Sequence, residues 1–257
     1  RFSKGTLPEA MSSLPGSRSY RSAWQDTIDA AEQFNEPGRF TAFIGYEWTS
    51  NTGGNNLHRN ILFRDNSDKA SQIMPFSAWQ SEDPEKLWER MAKYEEKTGG
   101  RMLAIPHNAN LSNGRMFEPV DFAGKPLTRD YAERRARFEM LQEIVQTKGN
   151  SETHPTLSPT DEFAGDLGVV GWDNGNLTLE DKPETPEMRP TMYLRSGLLR
   201  GLELEQRLGA NPFKFGFSQS RPDFHIPQHA RSPKDLCDDS VWAGPVTTRQ
   251  PFTVPKA

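Results

Sequence analysis

Cysteine is nearly absent from this sequence, because Cys237 is the only one among its 257 residues. A single cysteine excludes an internal disulfide framework and any zinc site built from cysteines alone. Long apolar runs are also absent, since none approaches the roughly 18–20 residues that a membrane-spanning helix needs. The net charge of −4 argues against a general nucleic-acid binder, which needs a concentrated basic face. We therefore expect neither a membrane-spanning segment nor a nucleic-acid partner.

Hydrophobic residues make up only 34% of the chain, while proline and glycine contribute 20 residues each. This composition predicts long ordered loops between modest core elements. The length suits one large domain of barrel or layered α/β type. Because the chain begins with Arg1 rather than methionine, we expect an internal fragment or a processed product, from which any preceding targeting segment would be missing. The compartment stays open between periplasmic or secreted and cytoplasmic, and so does the oligomeric state.

Apolar periodicity in the first half of the chain predicts helices that each lead into a strand. Asp83 and Pro84 are a strong helix start, and Gly99 with Gly100 a strong stop. A hairpin-like turn at 51–56 is expected to join the first two strands. The predicted helices are 22–34 and 84–98, and the predicted strands are 40–48, 61–64 and 102–106.

The second half continues this alternation less regularly. The predicted helices are 128–142 and 186–208, and the predicted strands are 169–172 and 213–217. In the first of these helices, Arg134, Arg135 and Arg137 are expected to lie mostly on the solvent side. Three parts follow: a loop or disordered lead-in (1–20), one domain (21–225) and an irregular tail (226–257). The alternation favours an α/β sheet or barrel whose site lies beyond the carboxyl ends of the strands.

Strand-like apolar runs end in side chains that can bind metal. Glu47 and His107 close two such runs, His154 follows a third, and Asp223-x-His225 could converge on one cation from an extended segment. Nitrogen and oxygen ligands without thiolates suit Zn, Mn or Fe(II) in a hydrolytic site better than a structural zinc site. These residues are our candidate metal ligands.

Each candidate has an ordinary alternative. His107 and His154 could be hydrogen-bonded loop histidines, and Glu47 could form an ion pair with Arg59, since a buried carboxylate without a partner is costly. His58 could be a ligand, a donor to substrate or a loop histidine.

Candidate anion-binding groups lie close in sequence to these ligands. Such groups could hold a phosphate while a metal-bound water attacks. The asparagines among them could instead stabilise turns. The candidates are Arg59, Asn60, Asn108 and Lys148, with Asn110 and Arg115 nearby.

Four phrases carry a resemblance to a known family: FTAFIGYEWTS (40–50), GGNNLHRN (53–60), IPHNANLSNG (105–114) and KGNSETHP (148–155). With them, residues 21–217 resemble the PHP (polymerase and histidinol phosphatase) superfamily of metal-dependent phosphoesterases, and most closely an uncharacterised domain-of-unknown-function branch. The resemblance implies a distorted (β/α)7-type barrel with two or three Mn, Zn or Fe ions in the complete protein.

The resemblance also implies roles for individual residues. Glu47 would bridge metals, His107 and His154 would each ligate one, and Asp223 with His225 would close the site. His58 has no secure counterpart in the wider superfamily and is assigned a catalytic contact to the substrate or leaving group.

Two departures from the family pattern stand out. Its His-x-His and Asp-His metal motifs should precede residue 1, which makes the predicted barrel incomplete at the N-terminus. A Gly-Ser-Thr-Asp-Ser-His type segment is expected after Phe217, where the chain has 218–225 with a different spacing, as a frame shift or a divergent terminus would produce.

The sequence thus predicts a metal-dependent hydrolase of a small anionic phosphoester, acting through a metal-activated water. The alternatives are an inactive fragment or binding module that keeps the scaffold, and a metallohydrolase of a non-phosphate ester or amide.

Overall fold

The computed structural model describes residues 14–146, 148–164 and 184–218. The predicted strand 169–172, the tail 226–257 and the candidate ligands Asp223 and His225 lie outside these residues. In the described part the elements are α1 (Arg18–Phe34), β1 (Gly45–Trp48), β2 (Arg59–Phe63), α2 (Ser67–Ala70), α3 (Pro84–Thr98), β3 (Met102–Pro106), α4 (Arg129–Phe138), β4 (Leu141–Glu143), β5 (Val145–Gln146), β6 (Gly149–Asn150), α5 (Leu194–Leu208) and β7 (Gly216–Ser218).

Strands β1, β2 and β3 form a three-stranded antiparallel sheet in that order. The predicted turn between β1 and β2 is confirmed, because these strands pair as a hairpin with Glu47 opposite Asn60 and Trp48 opposite Arg59. Side chains alternate between the two faces of a sheet, so Glu47 and Asn60 share one face and Trp48 and Arg59 share the other.

The Trp48 face of the sheet is covered by helices. Trp24 and Ile28 of α1 and Leu87 of α3 belong to the same buried cluster as Trp48 and Ile61. The opposite face is less enclosed: Leu62, Leu103 and Ile105 are only partly buried there. The helices therefore pack against the Trp48 face, and the Glu47 face is the less covered of the two.

Local capping explains why α3 and β3 match their predicted positions. The Asp83 side chain accepts a hydrogen bond from the Glu85 backbone N–H at 2.8 Å, and Gly99 ends the helix with φ 64°. The prediction for α1 was wrong at its start. Ser17 caps that helix by accepting from the Tyr20 N–H, so Arg18 to Tyr20 are helical and do not belong to the predicted lead-in 1–20.

The predicted helix 128–142 was too long, because α4 ends at Phe138. Glu139 leaves the helix, and Leu141 then starts β4, which pairs in parallel with β7. The prediction of a solvent-facing Arg135 was also wrong. Arg135 is 3% exposed and donates to Glu139 from within the core.

The predicted helix 186–208 divides into a short 3-10 turn, Arg189–Thr191, and the helix α5. The buried side of α5 consists of Leu194, Gly197, Gly201 and Leu204, whereas Leu202 is 61% exposed. A Cβ at Gly197 would lie 2.9 Å from the Phe117 ring, so glycine allows this close packing.

The predicted strand 213–217 begins later than expected, since β7 starts at Gly216, while Phe213 is fully buried in a second apolar cluster with Phe117 and Leu204. Among the described helices, none has the length and apolar character needed to cross a membrane. The described strands form one three-stranded and two two-stranded sheets. The (β/α)7-type barrel stays a prediction.

Candidate metal centre

Neighbouring strands bring three candidate residues to one face of the sheet. Glu47 lies in β1, His58 directly precedes β2 and His107 directly follows β3. The His107 N–H donates to the His58 carbonyl at 3.3 Å, which extends the β2–β3 ladder by one step. Because His58 and Asn60 are two residues apart in an extended segment, His58 shares the face of Asn60 and Glu47.

The three side chains converge on one point. His58 Nδ1 lies 2.7 Å from Glu47 Oε1, and His107 Nε2 lies 3.5 Å from the same oxygen. One ligand atom from each residue lies within 4.8 Å of the other two. The imidazole rings stand edge to face with centroids 5.7 Å apart. All three side chains are more than nine-tenths buried.

These short contacts lack hydrogen-bond geometry. Both carboxylate oxygens of Glu47 and the Nδ1 atoms of His58 and His107 are buried and have no hydrogen-bond partner among the described residues. Burying an unsatisfied polar atom costs about 1–3 kcal/mol, so native proteins seldom keep several together. A cation at the point of convergence would satisfy the Glu47 carboxylate and His58 Nδ1, and His107 faces the same point with Nε2. The residues therefore fit a metal ion.

Asn51 favours the ligand form of His58. The Asn51 amide oxygen lies 2.9 Å from His58 Nε2, so this nitrogen donates and the neutral ring directs the lone pair of Nδ1 at Glu47. Two lone pairs 2.7 Å apart repel unless a proton or a metal lies between them. Outer hydrogen bonds of this kind fix the tautomer of metal-binding histidines.

The pKa values of His58 and Glu47 are both shifted downward. Burial lowers the pKa of His58, and the charges of His107 and Lys148 lower it further, which together outweigh the opposing effect of Glu47. Burial alone would raise the pKa of Glu47, but contacts and charges from His107 and His58 outweigh it and lower the pKa to about 2. A neutral imidazole beside an ionised carboxylate is the combination that binds metals.

Three of the predicted anion-binding groups lie near this cluster. Asn60 is the cross-strand partner of Glu47. The Lys148 carbonyl accepts from the amide of Asn110, three residues after His107, at 3.1 Å. Asn108 follows His107 in a left-handed conformation with φ 55°, and it is 1% exposed. In the part of the chain that the structure describes, neither its amide oxygen nor its amide nitrogen has a hydrogen-bond partner. Asn108 thus offers both a donor and an acceptor.

Arg59 lies on the other face of the sheet. Its Nε donates to Glu139 Oε1 at 3.0 Å, and its guanidinium lies 5.9 Å from the centre of the Trp48 ring. The structure therefore does not bring Arg59 to the Glu47 cluster. It also rules against the alternative pairing of Arg59 with Glu47, because the buried ion-pair partner of Arg59 is Glu139.

His154 does not join the three-residue cluster in the described part of the chain. Its Nδ1 accepts from the Thr156 backbone N–H at 3.1 Å and lies 2.8 Å from the Thr156 hydroxyl. The proton of the neutral ring is therefore on Nε2, and a metal there would require the other tautomer. Burial is the main cause that lowers the pKa of the His154 ring. The charge of Arg189 lowers it further, and the charge of Glu184 acts in the opposite direction.

Sequence reasoning missed Asn51, which orients His58. It named Asn110 beside the candidate anion-binding groups, whereas the structure has Asn110 join two loops through hydrogen bonds to Ser151 and Lys148. Both belong to asparagine-rich turns, which was the only available signal, and turn stabilisation was an equally good explanation of that signal.

A family match spans nearly the whole chain. The family described as "Protein of unknown function (DUF3604)" matches residues 2–240, including all three residues of the cluster. The chain belongs to the DUF3604 family. This confirms the predicted membership of a domain-of-unknown-function family. The description of DUF3604 assigns no activity, and no curated protein and no solved structure matches the chain.

Proposed function

We propose that this DUF3604 chain carries a metal centre of a hydrolase that acts on phosphoesters and is related to the PHP superfamily. The observation that carries the proposal is the buried convergence of Glu47, His58 and His107, whose ligand atoms lie within 4.8 Å of one another. Within the described part of the chain the Glu47 oxygens and His58 Nδ1 have no hydrogen-bond partner, which supports a cation in preference to a hydrogen-bonded cluster.

The donor set suits a reactive metal. Glu47 supplies a carboxylate, while His58 Nδ1 and His107 Nε2 supply neutral nitrogens. Three protein ligands leave coordination positions open, as in catalytic zinc sites, and two histidines with one carboxylate also suit Fe(II) and Mn. His58 thereby becomes a ligand rather than the substrate contact proposed from the sequence. Following the family likeness, His154, Asp223 and His225 would serve a second metal.

Bound there, a divalent ion would lower the pKa of a coordinated water toward neutrality and so supply the nucleophile. The remaining work falls to the residues of the chain. The Lys148 ammonium would attract the phosphate, and the amide of Asn108 would hold one of its oxygens or hydroxyls. Asn60 lies on the same face as Glu47 and could contact the same group. The substrate would be a small anionic molecule.

One observation favours a second candidate, a binding module that holds metal or anion without turnover. His154 lies apart from the cluster with its ring proton on Nε2, so the described residues assemble one metal position rather than two. The same centre could also serve hydrolysis of a carboxylic ester or an amide, which requires a test with more than one bond type.

The test is metal content together with turnover. The chain is reconstituted with Zn, Mn or Fe(II), freed of excess metal and analysed by mass spectrometry, next to Glu47→Gln and His107→Ala. Glu36→Gln is the matched control, because Glu36 is an exposed carboxylate paired with Arg39. Each protein is assayed with p-nitrophenyl phosphate, p-nitrophenyl acetate and an anilide.

We expect about one metal ion per chain in the wild type and the control, and at least a tenfold loss of affinity in the two ligand variants. Equal metal content in all four proteins would contradict the metal centre. Metal binding without turnover would support the binding module. If the metal-loaded chain cleaves p-nitrophenyl acetate or the anilide faster than p-nitrophenyl phosphate, the bond hydrolysed is a carboxylic ester or an amide rather than a phosphoester.

A further inference from the structure

Two loops are joined beside the metal centre by buried hydrogen bonds. The turn after β3 carries Asn110, and the segment after β6 carries Ser151. The Asn110 backbone N–H donates to Ser151 Oγ at 3.2 Å, and this hydroxyl donates to Asn110 Oδ1 at 2.8 Å. The amide nitrogen of Asn110 donates to the Lys148 carbonyl at 3.1 Å. Asn110 is 1% exposed and Ser151 2% exposed.

Ser151 is fixed from other directions as well. Its N–H donates to the Ile144 carbonyl at 2.8 Å, and its own carbonyl accepts from the Leu194 N–H at the start of α5 at 2.9 Å. The hairpin that carries Lys148 has only two residues in each strand, Val145–Gln146 and Gly149–Asn150. So short a hairpin has little stability of its own. The position of Lys148 therefore depends on what holds this hairpin.

The connection joins the turn after His107, which contains Asn110, to the hairpin that contains Lys148. Asn110 lies three residues after the ligand His107, in the same turn as Asn108. Lys148 lies in the β5–β6 hairpin, and its carbonyl accepts from the Asn110 amide in the turn that follows His107. The hydrogen bonds thus connect the backbone that presents one ligand to the backbone that presents the cation, and a lysine is a compact point charge suited to phosphate.

We propose that Asn110 and Ser151 form a clamp that positions Lys148 as the anchor for the phosphate group of the substrate at the Glu47–His58–His107 centre. This inference rests on the proposed function and adds positioning residues to it. A merely structural clamp would stabilise the two loops and leave the contribution of Lys148 to anion binding unchanged.

A double-mutant cycle separates these readings. Isothermal titration calorimetry measures binding of inorganic phosphate to the metal-loaded chain and to Ser151→Ala, Lys148→Met and the double variant. Ser158→Ala is the control, because its hydroxyl lies 2.8 Å from the Thr153 hydroxyl and outside the clamp. Loss of a hydrogen bond to a charged group corresponds to a fold-change of about 10 or more, which is the expected effect of Lys148→Met.

Ser151→Ala should weaken phosphate binding about fivefold, because it removes two of the three clamp bonds, and the control should not. In the Lys148→Met background the same substitution should have no further effect. Independent effects that multiply in the double variant would overturn the clamp. An unchanged affinity in Ser151→Ala would do the same while leaving the proposed function intact.

Amide hydrogen exchange of segment 145–155 provides a readout that needs no phosphate. Exchange there should become faster in Ser151→Ala than in the wild type and the control, since the hairpin loses its tether. If the wild type binds metal but no phosphate, the phosphoesterase proposal fails and the anchor role of Lys148 fails with it. If phosphate binds and exchange is unchanged by Ser151→Ala, the clamp alone is wrong.

Discussion

The substitution Glu139→Gln would test the buried ion-pair network behind the sheet. Glu139 Oε1 accepts from Arg59 Nε at 3.0 Å and from Trp88 Nε1 at 2.9 Å, and Oε2 accepts from Arg135 Nε at 2.9 Å. The side chains of Arg59 and Glu139 are each 2% exposed and that of Arg135 is 4% exposed. One carboxylate thus neutralises two buried guanidinium groups.

Glutamine keeps the shape of Glu139 and removes its charge. The two arginines then remain buried without an anionic partner, and the new amide NH2 replaces one acceptor with a donor. Removing one member of a buried pair costs about 3–5 kcal/mol, and we expect about 4 kcal/mol here. Since domains of this kind have about 5–15 kcal/mol of stability in total, the effect would be large.

Urea unfolding followed by circular dichroism measures this loss. The control is Glu133→Gln, which removes an exposed carboxylate 2.7 Å from Arg129 in the same helix and should change the stability by less than about 0.5 kcal/mol. A cost below about 1 kcal/mol for Glu139→Gln would refute the reasoning, because the network would then contribute no more than a surface pair.

Two further predictions concern acid and packing. Burial alone would raise the pKa of Glu139, but the charges of Arg59 and Arg135 outweigh burial and lower this pKa below its ordinary value of 4.5. The stability that the ionised group contributes is therefore complete above pH 4.5 and is lost as the pH falls through the lowered pKa. Wild-type stability should therefore fall more steeply in acid than that of Glu139→Gln, and parallel curves would contradict this. Gly201→Ala would place a Cβ inside the contact distance of Asn211 Oδ1, which accepts the Phe213 N–H at 2.8 Å. We expect thermal unfolding to show a loss of about 1–3 kcal/mol in the free energy of unfolding. A substitution at the exposed Leu202 should lower this free energy by no more than about 0.5 kcal/mol.

Local signals made part of the fold predictable. The cap at Asp83, the stop at Gly99 and the apolar run before His107 are each contained in a few consecutive residues, so α3 and β3 could be placed from the sequence. The burial of Arg135 could not be predicted in this way. It depends on Glu139, Arg59 and Met116, and Arg59 is far away in the sequence, so helical periodicity alone assigned this arginine to solvent.

The centre was predictable to a similar extent. The structure brings Glu47 and His107 together as apolar runs ending in a carboxylate and an imidazole had suggested. His58 stayed ambiguous because its side depends on the register of β2, and Arg59 was placed near the anion because neighbours in sequence were assumed to be neighbours in space. In a strand consecutive side chains point to opposite faces, which separates these two residues.

X-ray absorption at the metal edge of the reconstituted chain, together with anomalous diffraction to locate the ion, tests the central claim most directly. We expect an ion held by His58 Nδ1, His107 Nε2 and a Glu47 oxygen, with metal–nitrogen distances of about 2.0–2.1 Å for zinc. An ion bound elsewhere, or a metal-free centre in which a proton joins His58 to Glu47, would contradict it.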